Sequence, residues 1–161
     1  MDLNSLMIDG IDHKILKILQ EKARIPNVEV ARQVGMAPSA VSERIRKLET
    51  RGLIDGYEVR LNPERFGRSL VAFVTVSLSP GADEASAGRA LAEIPEVQEV
   101  HFVAGEDAFL VKLRVADPAA LGRLLRERIS AAPGVSATRT AAVLTTYKES
   151  ARIPIDNGLE E

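Results

Sequence analysis

Apolar residues recur at two different spacings along this chain, helical through the first third and alternating in much of the remainder. In "DGIDHKILKILQEK", Ile11, Ile15, Ile18 and Leu19 share one helical face; Asp9 is placed to cap the helix, with Asp12 three residues on. "NVEVARQV" predicts a short second helix capped by Asn27, with Val30, Ala31 and Val34 inward and Gly35 as a left-handed stop. The third helix, "PSAVSERIRKLET", opens on Pro38, which suits a first turn where no amide donor is missed. Its only large apolar residues before Gly52 are Val41, Ile45 and Leu48, four and three apart, so one narrow stripe faces a core. Ala37 precedes it where a side-chain cap would contribute about 1 kcal/mol. Gly52 ends the helix, and Leu53, Ile54, Tyr57, Val59 and Leu61 then alternate around Asp55-Gly56, which predicts a small hairpin.

That order of helix, short helix, tight turn, longer helix and wing is the plan of a winged helix-turn-helix. From Ser69 the period shortens to two. "LVAFVTVSLSP" predicts a strand, "DEASAGRALAEI" a helix with Ala87, Ala90, Leu91 and Ile94 inward, and "VQEVHFVAG" and "AFLVKLRV" two strands joined by a turn. "PAALGRLLRERISAAPG" predicts a second helix, closed by Pro133-Gly134, and "SATRTAAVLTTYK" a last strand. The fold class is therefore α+β: a winged helix-turn-helix over residues 1–61, a linker over 62–68, a ferredoxin-like βαββαβ domain over 69–149 and a tail over 150–161. Such a sheet is covered by helices on one face only. Apolar side chains on its open face predict a dimer built through this half.

Composition narrows the classes. The chain has 161 residues, 45% of them hydrophobic, with a net charge of -2 and no cysteine, so disulfides and thiolate metal sites are excluded. The start "MDLNSLMIDGIDHK" lacks the apolar run of a signal peptide, and no stretch approaches a membrane span; a cytoplasmic protein is expected. Residues 1–65 hold 11 basic and 10 acidic side chains, and residues 66–161 hold 10 and 13. A half this mildly basic would hold DNA weakly as one copy. A DNA-binding reading therefore rests on where charges sit and on several copies acting together.

The stretches "IDHKILKILQEKARIPNVEVARQVGMAPSAVSERIRKLETRGLIDGYEVRLNP", "VHFVAGEDAFLVKL" and "PGVSATRTAAVLTTYK" resemble the leucine-responsive/asparagine-responsive (Lrp/AsnC) family of regulators. The resemblance spans about Ile8 to Lys148. It implies a bacterial or archaeal transcription regulator whose winged helix binds double-stranded DNA. It also implies a C-terminal domain of the RAM or ACT kind, which dimerises, assembles dimers into octamers or other multiples, and often binds an amino-acid effector.

The residues agree about the third helix. At 100° per residue, Ser39, Glu43, Arg46 and Thr50 lie opposite the apolar stripe, flanked by Ser42 and Lys47. Ser39, Ser42, Glu43 and Arg46 are the candidates for base edges, with Arg46 suited to a bidentate guanine contact. Lys47, Arg51 and Arg60 are the candidates for phosphates. Arg44 projects to the rim of the stripe, which points to a structural role. The alternative for the whole helix is an ordinary solvated face.

The effector site is harder to read. The family pattern implied for the turn between the middle strands is Gly, two variable residues, Asp and an aromatic. Gly105 and Phe109 match, but Ala108 stands at the aspartate position and Ala104 where Ser or Thr is frequent. Asp107 is one residue early and, on an unbulged strand, faces the other way. An α-ammonium without a counter-charge is poorly held in a dry site. Three alternatives stay open: Glu106 supplies the charge, a less charged molecule binds, or the site is empty. Gly105, Glu106, Asp107, Ala108, Thr138 and Thr140 are the candidate effector residues, against the plainer reading of a hairpin turn and exposed strand formers.

Catalysis is not expected. The two histidines, His13 and His101, have no paired carboxylates or metal-ligand spacing around them, and both read as structural or interfacial. No metal or cofactor is implied. The rival to a DNA-binding regulator is an effector sensor or oligomerisation protein that keeps the frame with weak or lost DNA affinity.

Overall fold

The structure is a computed structural model that describes residues 8–105 and 108–155. The chain divides into two compact units, one of Met1–Arg60 with Glu149–Glu161 and one of Leu61–Lys148.

The first unit is three helices: α1 (Gly10–Glu21), α2 (Asn27–Val34) and α3 (Pro38–Thr50). They close around Ile15, Leu19, Val30, Ala31, Val41, Ile45 and Leu48. The expected capping of α1 is present in full. The Asp9 carboxylate accepts from the Ile11 and Asp12 amides at 2.9 and 2.8 Å, and the Asp12 side chain reaches back to the Asp9 amide at 3.4 Å. At α2 the expectation fails: the cap position is Pro26, and Asn27 is the first helical residue. The Asn27 amide donates instead to Ser42 Oγ on α3, at 2.8 Å. Gly35 is left-handed as expected, with φ 71°, and Met36 N–H returns to Ala31 O at 3.0 Å, which turns the chain sharply into α3. Ala37 caps α3 with no side-chain hydrogen bond.

The expected wing does not form among the described residues, and 53–62 contain no strand. Gly52 N–H bonds to Glu49 O at 2.9 Å and Leu53 N–H to Leu48 O at 2.9 Å, the paired bonds of a Schellman close. This commits Leu53 and Ile54 to the helical core. Beyond them Val59 and Leu61 stand 83% and 60% exposed. A lone hairpin in water has too little to bury to hold its strands together. Tyr57 turns back, its hydroxyl donating to Glu49 at 2.9 Å; burial and the Glu49 carboxylate push the phenol up to about 12. The tail returns to α1: the Gln20 side chain donates to Ile153 O at 2.9 Å and accepts from Ile153 N–H at 2.7 Å.

The second unit opens with a 3₁₀ turn at Pro63–Phe66, then runs β1 (Leu70–Leu78), α4 (Glu84–Ala92), β2 (Val97–Val103), β3 (Ala108–Val115), α5 (Pro118–Leu124) and β4 (Val135–Ala142). This is the expected βαββαβ order, folded as one antiparallel sheet β2-β3-β1-β4. Two boundaries differ. After α5 the chain continues as a π turn, Leu125–Ile129, which brings Ile129 fully into the core. β4 stops at Ala142, short of the expected Lys148, and leaves Leu144 and Tyr147 each 97% exposed.

Pairing register fixes the two faces of the sheet. Ala72, Val74 and Val76 lie across from Leu113, Val111 and Phe109, and these face the helices, where they share a core with Leu91 of α4 and Leu121 of α5. Gly88 of α4 lies against the Phe109 ring, where an added Cβ would sit 3.1 Å from a ring carbon. The open face is more mixed than expected. Phe73 and Leu110 are each 37% exposed there, but Lys112 stands opposite Phe73 in register and pairs with Glu99 at 2.9 Å. His101 projects on the same face, exposed, with Nε2 3.4 Å from Glu99, so it is not packed within the protomer.

Candidate nucleic-acid interface

The polar face of α3 is exposed as its pattern predicts. Val41, Ile45 and Leu48 are buried, while Ser39, Ser42, Glu43, Arg46, Lys47, Thr50 and Arg51 are open to solvent. A charged clamp behind this face fixes it in place. Arg44 Nη1 meets Asp9 Oδ2 at 2.7 Å and Asp12 Oδ1 at 2.8 Å, so one guanidinium ties the third helix to both carboxylates of the α1 cap. Asp12 is a buried charged residue of the core, and Arg44 is its partner. Partial burial raises the Asp9 pKa, but the Asp12 amide and the Arg44 guanidinium outweigh it and leave the carboxyl below its ordinary value. The structural role expected of Arg44 is what the structure shows. His13 is likewise structural, its Nδ1 2.9 Å from Asp9 O.

Three of the four predicted base-facing residues, Ser42, Glu43 and Arg46, have partners already. Ser42 Oγ donates to Pro38 O at 3.0 Å and accepts from Asn27, so it ties the start of α2 to the first turns of α3. Arg46 is held by Glu43 through two bonds, Nε to Oε2 at 3.0 Å and Nη2 to Oε1 at 2.7 Å. The Arg46 guanidinium keeps the Glu43 carboxyl below its usual range, and Lys47 lies 3.7 Å from the same oxygen. Exposed pairs one helical turn apart are worth about 0.2–0.5 kcal/mol, so a better partner displaces them at small cost. Arg60 does not lie on α3; it is exposed in the extended segment that ends the unit. A shallow groove of about 320 Å³ flanks the face, with Glu43, Lys47 and Arg51 along it and Asp12 and Arg44 behind.

In the sheet unit the effector candidates are not brought together. Gly105 is at the β2–β3 turn with φ 95°, and Ala108, fully buried, starts β3. Glu106 and Asp107 lie outside the described residues. Ala108 pairs with Ser77, on the side of the sheet away from the helices. Thr138 and Thr140 pair with Val76 and Val74, on the helix side, and are exposed on the edge strand. Alternation along the chain places each residue on a strand; only the register shows that the two sets point apart. Among the described residues no cluster of His, Cys, Asp or Glu is arranged to hold a metal, and no helix is long and apolar enough to cross a membrane.

A helix-turn-helix with an exposed, charge-bearing third helix, joined to a four-stranded α+β domain, is the architecture of a DNA-binding regulator. Two family models match it: an AsnC-type helix-turn-helix domain over residues 8–49 and an Lrp/AsnC ligand binding domain over residues 71–153. The leucine-responsive regulatory protein of Escherichia coli strain K12 is 41% identical over 150 residues, 92% of each chain. Among solved structures, a transcriptional regulator in complex with L-Met from Neisseria meningitidis superposes with TM-score 0.90 at 28% identity, covering 95% of this chain and 100% of that one. A feast or famine regulatory protein from M. tuberculosis complexed with L-methionine gives 0.84 at 37% identity, covering 93% and 100%. The chain belongs to the Lrp/AsnC family and is a DNA-binding transcriptional regulator, not an enzyme.

Proposed function

We propose that this regulator reads a duplex with the exposed face of α3, acts in the cytoplasm, and works as an assembly of dimers joined through the sheet unit. Ser39, Ser42, Glu43 and Arg46 form the row toward the bases, and Lys47, Arg51 and Arg60 meet phosphates. The observation that carries this reading is the Arg44 clamp. It holds α3 rigidly by its inner side at 2.7 and 2.8 Å and leaves the whole polar side open. A face with one carboxylate among its cations binds weakly as a single copy, so several copies are needed for useful affinity.

A small amino-acid-like effector is the second half of the proposal. Its support is the ligand-binding family match and the L-methionine held by two structural relatives. Gly105, Glu106, Asp107 and Ala108 would form one wall, and Thr138 and Thr140 another. Within one protomer the register keeps Ala108 and the threonines on opposite faces, so a pocket using both walls needs a second copy. Buried Ala108 gives no charge for an α-ammonium, so either Glu106 supplies the counter-charge or the effector is a less charged molecule.

Fluorescence anisotropy with labelled promoter duplexes at rising salt tests the first half. Binding that falls steeply with salt, and is weakened on every sequence by Lys47→Ala, is expected. Binding that is flat with salt and indifferent to Lys47→Ala would remove the phosphate contacts assigned to α3. For the second half, calorimetry should show Ala108→Asp tightening binding of an amino acid, and no gain for any amino acid would remove the assignment of that turn.

A further inference from the structure

The Glu43–Arg46 pair suggests how the proposed interface would discriminate. A guanidinium has five N–H groups and two edges that can make parallel bonds: side-on through Nε and Nη2, and end-on through Nη1 and Nη2. Glu43 takes the side-on edge, with bonds of 3.0 and 2.7 Å. The Nη1 hydrogens and the second Nη2 hydrogen remain for another planar acceptor, and guanine O6 and N7 offer one in the major groove. We propose that Glu43, although it stands in the row that faces the bases, is a positioning residue there: it holds Arg46 side-on so that the end-on edge of Arg46 meets a guanine, and Glu43 itself makes no base contact. This rests on the DNA-binding reading of α3.

The energetic logic separates two effects of one carboxylate. A free arginine on a helix surface samples many rotamers and loses that freedom when it docks; an arginine already held loses less. Held side-on, Arg46 gains orientation for a planar partner. The same carboxylate carries negative charge toward the phosphates and weakens binding to every duplex. It also draws Lys47, 3.7 Å away, partly off the backbone contact proposed for it. Glu43 therefore lowers affinity for all DNA while raising the preference for sites with guanine at one position. Charge alone would lower both kinds of binding in step. The pair is exposed, with side chains 65% and 47% accessible, so substituting either does not endanger the fold.

The experiment uses the full chain. A random-sequence duplex library is selected with the wild-type protein, and affinities are then measured for the enriched site, for that site with each guanine replaced in turn, and for a random duplex. For Glu43→Gln we expect binding to the random duplex to rise. We expect the preference for one guanine to fall by about twofold, the most that an exposed pair one helical turn apart can supply. In an Arg46→Ala background, Glu43→Gln should raise affinity for all duplexes alike and leave preference unchanged. Equal gains on specific and random duplexes in the wild-type background would overturn the proposal and reduce Glu43 to a charge. A loss of preference that persists without Arg46 would overturn it the other way, by making Glu43 a base contact. If the wild-type chain binds duplex but enriches no sequence, the assignment of base reading to α3 falls, and the proposal with it.

Discussion

Among the described residues, seven buried apolar side chains hold the three helices of the helical unit, and a charged clamp sets the last helix in place. In the sheet unit, thirteen buried apolar side chains hold a sheet under two helices, with no such clamp described in their midst. The difference comes from shape. Three short helices cannot enclose much apolar surface, so the orientation of α3 depends on directed bonds from Arg44 to Asp9 and Asp12. A four-stranded sheet is oriented by its ladder and needs only bulk packing on one face. Recognition requires one helix held in a fixed attitude, and ligand binding or assembly requires an open surface. Each unit is stabilised in the way that leaves its working side free.

The contrast can be broken by mutation, unit by unit. Leu113→Ala in the middle of β3 should be the most damaging change, costing about 2–5 kcal/mol because a fully buried side chain leaves a cavity under α4 and α5. Calorimetry should show the sheet unit melting earlier. Gly134→Ala comes next, at about 2–4 kcal/mol: the backbone there has φ 74°, and the new Cβ would sit 2.6 Å from Ala82 Cβ. Arg44→Ala should cost about 1–3 kcal/mol, confined to the helical unit, since it strands the mostly buried Asp12 carboxylate. It should also lower DNA affinity without removing any residue of the exposed face. Gly52→Ala should be the mildest, about 1 kcal/mol, because φ is 70° but nothing lies within 4 Å of the added carbon.

Acid sharpens the same comparison. Asp9 is depressed below its ordinary 3.8, so its contribution to the helical unit is present above that pH and disappears as pH falls through the lowered folded value. Circular dichroism below about pH 4 should show helix loss that is smaller in Arg44→Ala, where the clamp is already gone. An acid transition of unchanged size in that variant would place the sensitivity elsewhere.

Much of the helical unit is legible in the residues alone. The Val41-Ile45-Leu48 stripe, the Asp9 cap and the Gly35 stop are local features, each fixed by residues within one or two turns. Asn27 departs from its expected role because a cap and a cross-helix bond ask for the same side chain, and only the approach of α2 to α3 decides between them. The wing departs because alternation describes what a strand would bury and not whether anything covers it; Val59 and Leu61 have the pattern and no cover. The exposed row on α3 is legible from helical spacing. That Arg46 is already held by Glu43 is not, because spacing allows such a pair without choosing a rotamer.

For the sheet unit, the sequence by itself determined the order of strands and helices and, in and just after the first helix, the inward Ala87, Leu91 and Ile94, since apolar periodicity is a property of neighbours along the chain. The tertiary structure decided which strands lie side by side and therefore which side chains share a face. Thr138 and Ala108 each sit on a correctly expected strand, yet the pairing of β1 with both β3 and β4 turns them to opposite sides. Pairing register joins residues far apart in sequence, and no local spacing carries that information.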